Sequence, residues 1–176
     1  MGVSGCGKST VGQAIANALG LPFIEGDSLH PPRNVALMAN GTPLTDADRA
    51  EWLAALAEKL RAARAAGHGL VVSCSALKHG YRDVLRGGVA GLRFVHLHGA
   101  PALLRMRMHQ RVGHYMPPAL LDSQLATLEP PGADEAAITL DIDQSASAIS
   151  DAALRWLLAA PAPPPHHPHP PPESPP

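Results

Sequence analysis

The first ten residues carry the most specific chemical signal in the chain. Gly2-Val3-Ser4-Gly5-Cys6-Gly7-Lys8-Ser9 fits the pattern G-x-x-x-x-G-K-[ST] at every fixed position, and Thr10 continues into a helical run. Glycines let successive backbone N–H groups turn inward around phosphate oxygens, and Lys8 adds a point charge for the β- and γ-groups. Ser9 offers a hydroxyl to Mg²⁺, and the helix behind it points its positive end at the anion. A glycine-rich turn that merely caps a helix is the alternative. The lysine, the serine and the following helix together favour a nucleoside triphosphate site spanning residues 2–10. Cys6 reads as a small filler within the loop.

A second group of residues could handle an acceptor. Asp27 ends an apolar run, where a carboxylate could orient or deprotonate an attacking hydroxyl. It could equally cap the turn at 28–30. Arg33, in the polar stretch Ser28-Leu-His-Pro-Pro-Arg-Asn34, is a natural fork for a carboxylate or phosphate, although a lone arginine in a loop is often simply solvated. Arg107 and Arg111 lie four residues apart on one helix face, an arrangement that repels unless an anion bridges it. Read from spacing alone, Arg49 pairs with Asp46 on its own helix rather than with a ligand. Ser73-Cys74-Ser75 has no partner base at a recognisable spacing, which removes the nucleophile reading. Asp141 and Asp143 flank Ile142 in strand-like alternation and stay outside the catalytic group.

The elements that must position these residues alternate between strand and helix patterns, the mark of an α/β sheet. The spacing predicts a helix over 9–19 closed by Gly20 and a strand at 22–25. A long helix is capped by Thr45 with Asp48 and stopped by Gly67. Strands are expected at 70–73, 94–97 and 138–142, with helices near 81–86, from Pro101 onward, at 118–127 and at the end of the folded body. One element is missing from the pattern. A parallel doubly wound sheet places a strand directly before its glycine-rich loop, yet only Met1 precedes Gly2. The expectation is a strand lying upstream of an internal Met1, or else a sheet without its central strand.

Composition sets the outer limits. The chain has 176 residues, with 14 Lys+Arg against 15 Asp+Glu and a formal net charge of −1. Such a balance lacks the basic excess that phosphate backbones demand and argues against nucleic-acid binding. No apolar run approaches the roughly 20 residues a bilayer requires, so no membrane role is expected. Cys6 and Cys74 cannot form a disulfide framework, and a reducing cytoplasm is the expected compartment. Residues 161–176 hold ten of the nineteen prolines and three of the ten histidines. That tail is expected to be extended and disordered outside a folded body of 1–160.

Longer motifs carry a resemblance. Gly2–Ser9, Glu25-Gly-Asp-Ser-Leu-His-Pro-Pro-Arg-Asn34, Gly41-Thr-Pro-Leu-Thr-Asp-Ala-Asp-Arg49 with Trp52-Leu53, and Ser73-Cys-Ser-Ala-Leu-Lys78 with Tyr81-Arg-Asp83 resemble the thermoresistant gluconokinase family. Arg111-Val-Gly-His114, Ser123-Gln124, Thr127-Leu-Glu129, Pro131-Gly-Ala-Asp-Glu135 and Asp141-Ile-Asp143 continue it through nearly all of 1–144. The resemblance implies a P-loop, nucleoside-monophosphate-kinase-like three-layer sandwich, related to shikimate kinase, that uses MgATP to phosphorylate the 6-hydroxyl of D-gluconate. It further implies that Asp27 and Arg33 face the sugar acid, with Arg49, Lys78 and Arg82 as further contacts in an acceptor region of about 27–66. Arg107, Arg111 and His114 would belong to a lid of about 105–120. Lys8 and Asp27 are the expected catalytic pair, and a homodimer is left open. The rival readings are a kinase of another small polar acceptor such as shikimate, and a nucleotide-binding protein without turnover.

Overall fold

Strand and helix alternate as the patterning requires in the computed structural model, which describes residues 1–87, 89, 91–110 and 119–159. The order is α1 (Lys8–Leu19), β1 (Phe23–Glu25), a 3₁₀ turn (Gly26–Leu29), α2 (Pro32–Ala39), α3 (Asp46–Ala65) and β2 (Val71–Ser73). Then follow α4 (His79–Arg86), β3 (Phe94–His98), α5 (Pro101–Gln110), α6 (Ala119–Thr127), β4 (Ala137–Asp141) and α7 (Ala146–Ala159). Each of these strands lies within one residue of its predicted span. The expected tail, 161–176, falls outside the described residues.

Local chemistry fixes the boundaries. At the start of α3, the Thr45 hydroxyl accepts from the Asp48 N–H at 3.2 Å, while the Asp48 carboxylate accepts from the Thr45 N–H at 2.8 Å. At the end of α1, Gly20 takes a left-handed conformation at φ 65° that a side chain would resist. Helix α2 was not foreseen. The two prolines at 31 and 32 suggest a loop, but Pro32 occupies the first helical turn, where its missing N–H and preset φ cost nothing.

The strands form two parallel pairs. In one, β1 lies beside β2 with Ile24 opposite Val72; in the other, β3 lies beside β4 with Leu97 opposite Leu140. Met1 joins them. Its nitrogen donates to the Val95 carbonyl at 2.5 Å, its own carbonyl accepts from the Leu97 N–H at 2.9 Å, and Gly2 N–H reaches the Ser75 carbonyl at 3.1 Å. The α/β architecture with parallel strands is therefore as expected. Where a doubly wound sheet has its central strand, the described residues supply the two hydrogen bonds that Met1 makes with β3.

Helices cover both faces. The α1 and α7 side packs Val11, Ile15, Ile149 and Ala153 with Leu97 and Ile142, whereas the α3 and α4 side packs Trp52, Leu56, Leu60 and Leu85 with Cys74 and Phe94. Leu56 has no exposed surface. Leu56→Ala is expected to cost about 2–5 kcal/mol through lost burial and the cavity left behind, read as an earlier midpoint in urea unfolding.

Candidate active site

The N-terminal loop bends at Gly5 (φ 83°) and Gly7 (φ 93°), both in the left-handed region that glycine tolerates. Gly5 also has to be small, because a Cβ there would sit 3.1 Å from Met108 Cγ and 3.2 Å from the Leu104 carbonyl of α5. Gly7 caps α1 without any side-chain acceptor, so the first N–H groups of that helix face outward with the positive end of its dipole. Lys8 Nζ folds back onto the Val3 carbonyl at 3.1 Å and holds its charge over the loop. From the opposite side, Gln124 of α6 accepts from the Ser4 N–H at 2.7 Å. Val3, Ser4 and Cys6 are buried, Ser9 is half-buried and Thr10 is exposed. The result is a preformed anion cradle.

Asp27 lies in the 3₁₀ turn directly after β1, and the preceding Gly26 is so closely packed that a Cβ would lie 2.2 Å from the Ser73 carbonyl. The Gly26 carbonyl accepts from the Trp52 indole N–H at 2.7 Å. On one side the Ser73 hydroxyl donates to the Glu25 carboxylate. The buried Cys74 thiol is pushed up to about 11 by burial; the Met1 amine and Lys8 pull it down, and Asp27 and Glu25 raise it further.

Cationic and aromatic groups gather around His30, Asp46 and Tyr81. The His30 ring stacks on Trp52 with centroids 4.4 Å apart and an interplanar angle of 13°. Burial lowers its pKa, Asp27 pulls the other way, and Arg49 adds to the lowering. Buried Asn34 donates to the Asp48 carbonyl at 2.7 Å and approaches His30 Nδ1 at 3.5 Å. Lys78 Nζ lies 2.8 Å from both Asp46 carboxylate oxygens, and the Tyr81 hydroxyl donates to the same group. These two hydrogen bonds, the lysine's first, lower the Asp46 pKa. Arg49 donates to the Leu44 carbonyl and lies over the Tyr81 ring at 5.8 Å. It does not take up the expected pairing with Asp46, because Lys78 has claimed that carboxylate.

This combination has close relatives. A family model described as an AAA domain matches residues 1–131. The gluconokinase of Gluconobacter oxydans (strain 621H) is 50% identical over 159 residues, covering 90% of this chain and 89% of that one. The thermoresistant gluconokinase of Escherichia coli (strain K12) is 44% identical over 145 residues, covering 82% and 83%. The chain belongs to the gluconokinase family. Among solved structures, a sugar kinase from Janibacter sp. HTCC2649 superposes with a TM-score of 0.87 at 48% identity, covering 92% of this chain and 93% of that one. A gluconokinase from Sinorhizobium meliloti 1021 gives 0.81 at 53% identity, covering 90% and 89%.

Within this gluconokinase-family frame, one expected contact is corrected. Arg82 has no exposed surface. Its guanidinium donates to both carboxylate oxygens of Glu135, at 2.6 and 2.8 Å, and to the carbonyls of Ala76, Leu77 and Glu129 at 3.0 to 3.3 Å. With its donors so engaged, it shapes the site from behind and does not reach a sugar acid. Arg33 projects outward and pairs with Glu51 at 2.9 Å, both residues being well exposed. Arg107 donates to the Ile142 carbonyl at 2.9 Å. Arg111 and His114 lie outside the described residues. Sequence reading overlooked Gln124, Glu25 and Glu135 as positioning groups, since each works through a partner 48 to 120 residues away and leaves no local spacing to find.

Glu135 also accepts from Arg86 at 2.7 Å and from the Gly132 N–H at 3.0 Å. Burial alone would raise its pKa, but the arginine and backbone hydrogen bonds outweigh it and bring the carboxyl down to about 2. A carboxylate with a depressed folded pKa contributes stability that is complete above its unfolded value of about 4.3 and fades as pH falls toward about 2. Glu135→Gln leaves the buried Arg82 guanidinium without its carboxylate, while Arg86 keeps Asp83, and is expected to cost about 3–5 kcal/mol at neutral pH. Its unfolding midpoint should also depend less on pH between about 4 and 2 than that of the parent protein, as calorimetry across that range would show.

Proposed function

We propose that this chain is an ATP-dependent gluconokinase that transfers the γ-phosphoryl group of ATP to the 6-hydroxyl of D-gluconate, giving 6-phospho-D-gluconate in gluconate catabolism. The carrying observation is the glycine-bent loop ahead of an uncapped α1, with Lys8 folded back over it, and Asp27 in the turn after β1 supports the acceptor side of the reading. The 50% identity with a named gluconokinase supports the choice of acceptor.

The roles follow from position. Backbone N–H groups of residues 2–10 and the Lys8 ammonium receive the β- and γ-phosphates, offsetting charge that is spread over the transferring group. Asp27 accepts the proton of the attacking hydroxyl, or orients that hydroxyl in line with the γ-phosphorus. Cations at the edge of the pocket, Arg33, Arg49 and Lys78, suit a substrate with one carboxylate and many hydroxyls. Lys78 and Arg33 are held meanwhile by Asp46 and Glu51, and a sugar-acid carboxylate would compete for them. Arg107, with Arg111 and His114, is assigned to the nucleotide side in a lid of about 105–120.

The donors near the cradle are hard oxygens, the Ser9 hydroxyl and the Asp27 carboxylate. The soft thiols of Cys6 and Cys74 are buried. That set fits Mg²⁺, which prefers oxygen ligands and retains water, and Ser9 would hold it. When bound, the ion neutralises charge on the β- and γ-phosphates. Unpaired Cys6 and Cys74 support a reducing compartment, the cytoplasm. No helix among the described residues is long and apolar enough to cross a membrane.

Two substitutions separate the roles. Lys8→Ala is expected to lower kcat by roughly three orders of magnitude, in the range seen when a preorganised charge stabiliser is removed. Asp27→Asn is expected to leave ATP affinity nearly unchanged in calorimetric titration while abolishing acceptor-dependent ADP release. Assaying ADP release with gluconate, shikimate, glycerate and nucleoside monophosphates tests the acceptor. Turnover with shikimate and none with gluconate would overturn the reading.

A further inference from the structure

Three elements meet at the imidazole of His30, a group that the phosphoryl-transfer roles leave unused. The 3₁₀ turn Gly26–Leu29 closes with the His30 N–H donating to the Asp27 carbonyl at 3.3 Å. Residues three apart eclipse in a turn of that kind, so His30 and Asp27 project their side chains to one side of it. From α3, the fully buried Trp52 stacks on the His30 ring with 4.4 Å between centroids and fixes its plane. From α2 comes Asn34, which is also fully buried.

The Asn34 amide decides which nitrogen of that ring carries the proton. Its Nδ2 donates to the Asp48 carbonyl at 2.7 Å, and a carbonyl only accepts, so the amide cannot be turned over without setting oxygen against oxygen. That orientation stands although it leaves the buried Asn34 Oδ1 with no hydrogen-bond partner among the described residues. The second hydrogen of Nδ2 serves His30 Nδ1, 3.5 Å away, and a ring nitrogen that accepts carries no proton. The proton of the neutral ring therefore sits on Nε2. Burial favours the neutral form, and Arg49 adds to it, against the pull of Asp27. Nε2 itself has no hydrogen-bond partner among the described residues.

We infer, on the reading of this chain as a kinase of a polyhydroxylated acid, that His30 is a specificity-determining residue whose Nε2–H donates to an acceptor hydroxyl beside the one that Asp27 handles. Neutrality is what suits it to that place. A protonated ring or a lysine there would pair with Asp27 and weaken it as a proton acceptor, whereas a neutral N–H recognises a hydroxyl oxygen and leaves the carboxylate free. An acceptor without a hydroxyl at that point leaves the N–H unpaired, which is how a donor fixed in advance discriminates between substrates.

Two measurements test this. Long-range proton–nitrogen NMR correlations of the unliganded protein at neutral pH read the tautomer directly, and the His30 proton is expected on Nε2 with Nδ1 bare. Steady-state kinetics then compare the parent with three variants, on whichever of the acceptors named above the parent turns over. His30→Phe keeps a ring on Trp52 and removes both nitrogens, His30→Asn carries an amide only as far as the position of Nδ1, and His30→Gln brings one to about the position of Nε2. His30→Phe and His30→Asn are expected to raise the acceptor KM about tenfold while the ATP KM stays within about twofold, and His30→Gln to recover most of the loss. Lost packing alone would move both KM values together and would not be undone by glutamine. If His30→Phe is insoluble, the contrast between His30→Asn and His30→Gln carries the comparison. A proton on Nδ1, an equal rise in both KM values, or no recovery with glutamine each sinks the inference. Parent turnover with an acceptor other than gluconate would count against the gluconokinase reading alone, because the His30 comparison is then made on that acceptor.

Discussion

One buried guanidinium holds distant parts of the chain in a single arrangement. Arg82, on α4, binds the carbonyls that follow β2, the carbonyl of Glu129 beyond α6, and the carboxylate of Glu135 just ahead of β4. In a fold whose strands come as two pairs, this residue ties one pair to the other through side-chain and backbone hydrogen bonds where a continuous ladder is not available. Its charge is tolerable in the interior because Glu135 is bidentate to it and stays ionised. Arg86 adds a second cation to the same carboxylate and meets Asp83 on its other side.

The site inherits its geometry from that tie. The segment following β2 runs through Ser75, which accepts from Gly2 N–H, to Lys78, which holds Asp46 at the edge of the acceptor cluster. Fixing the Ala76 and Leu77 carbonyls therefore fixes both the entry to the phosphate cradle and a cation of the acceptor region. Trp52 supplies the complementary constraint from α3, with its indole bound to the Gly26 carbonyl and its face stacked by His30. These two anchors hold the backbone that leads into the Gly26–Leu29 turn.

Short-range patterns were the legible part of the chain. The phosphate loop, the Thr45–Asp48 capping box, the Gly20 stop and the strand positions all announce themselves within a few residues, and the structure places them accordingly. Asp27 drew attention because a carboxylate just past a strand is a local signal. What escaped was set by contacts distant in sequence. Arg82 looked like a free cation beside Tyr81, and only the arrival of Glu135 from 53 residues away shows that its charge is spent internally. Arg49 looked like a partner for Asp46, and Lys78, 32 residues further on, takes that place. Helix α2 hid behind two prolines that read as a break and act as a start.

The open start of α1 has a bearing on stability as well as on chemistry. Most helices satisfy their first N–H groups with a serine, threonine or aspartate, but Gly7 has no side chain with which to do so. A bound triphosphate would stand in for that residue, so the helix becomes properly capped only when ligand is present. Recognition of the nucleotide and consolidation of the fold are then the same event seen from two sides, and the protein's resistance to unfolding rises and falls with the ATP supply of the cell.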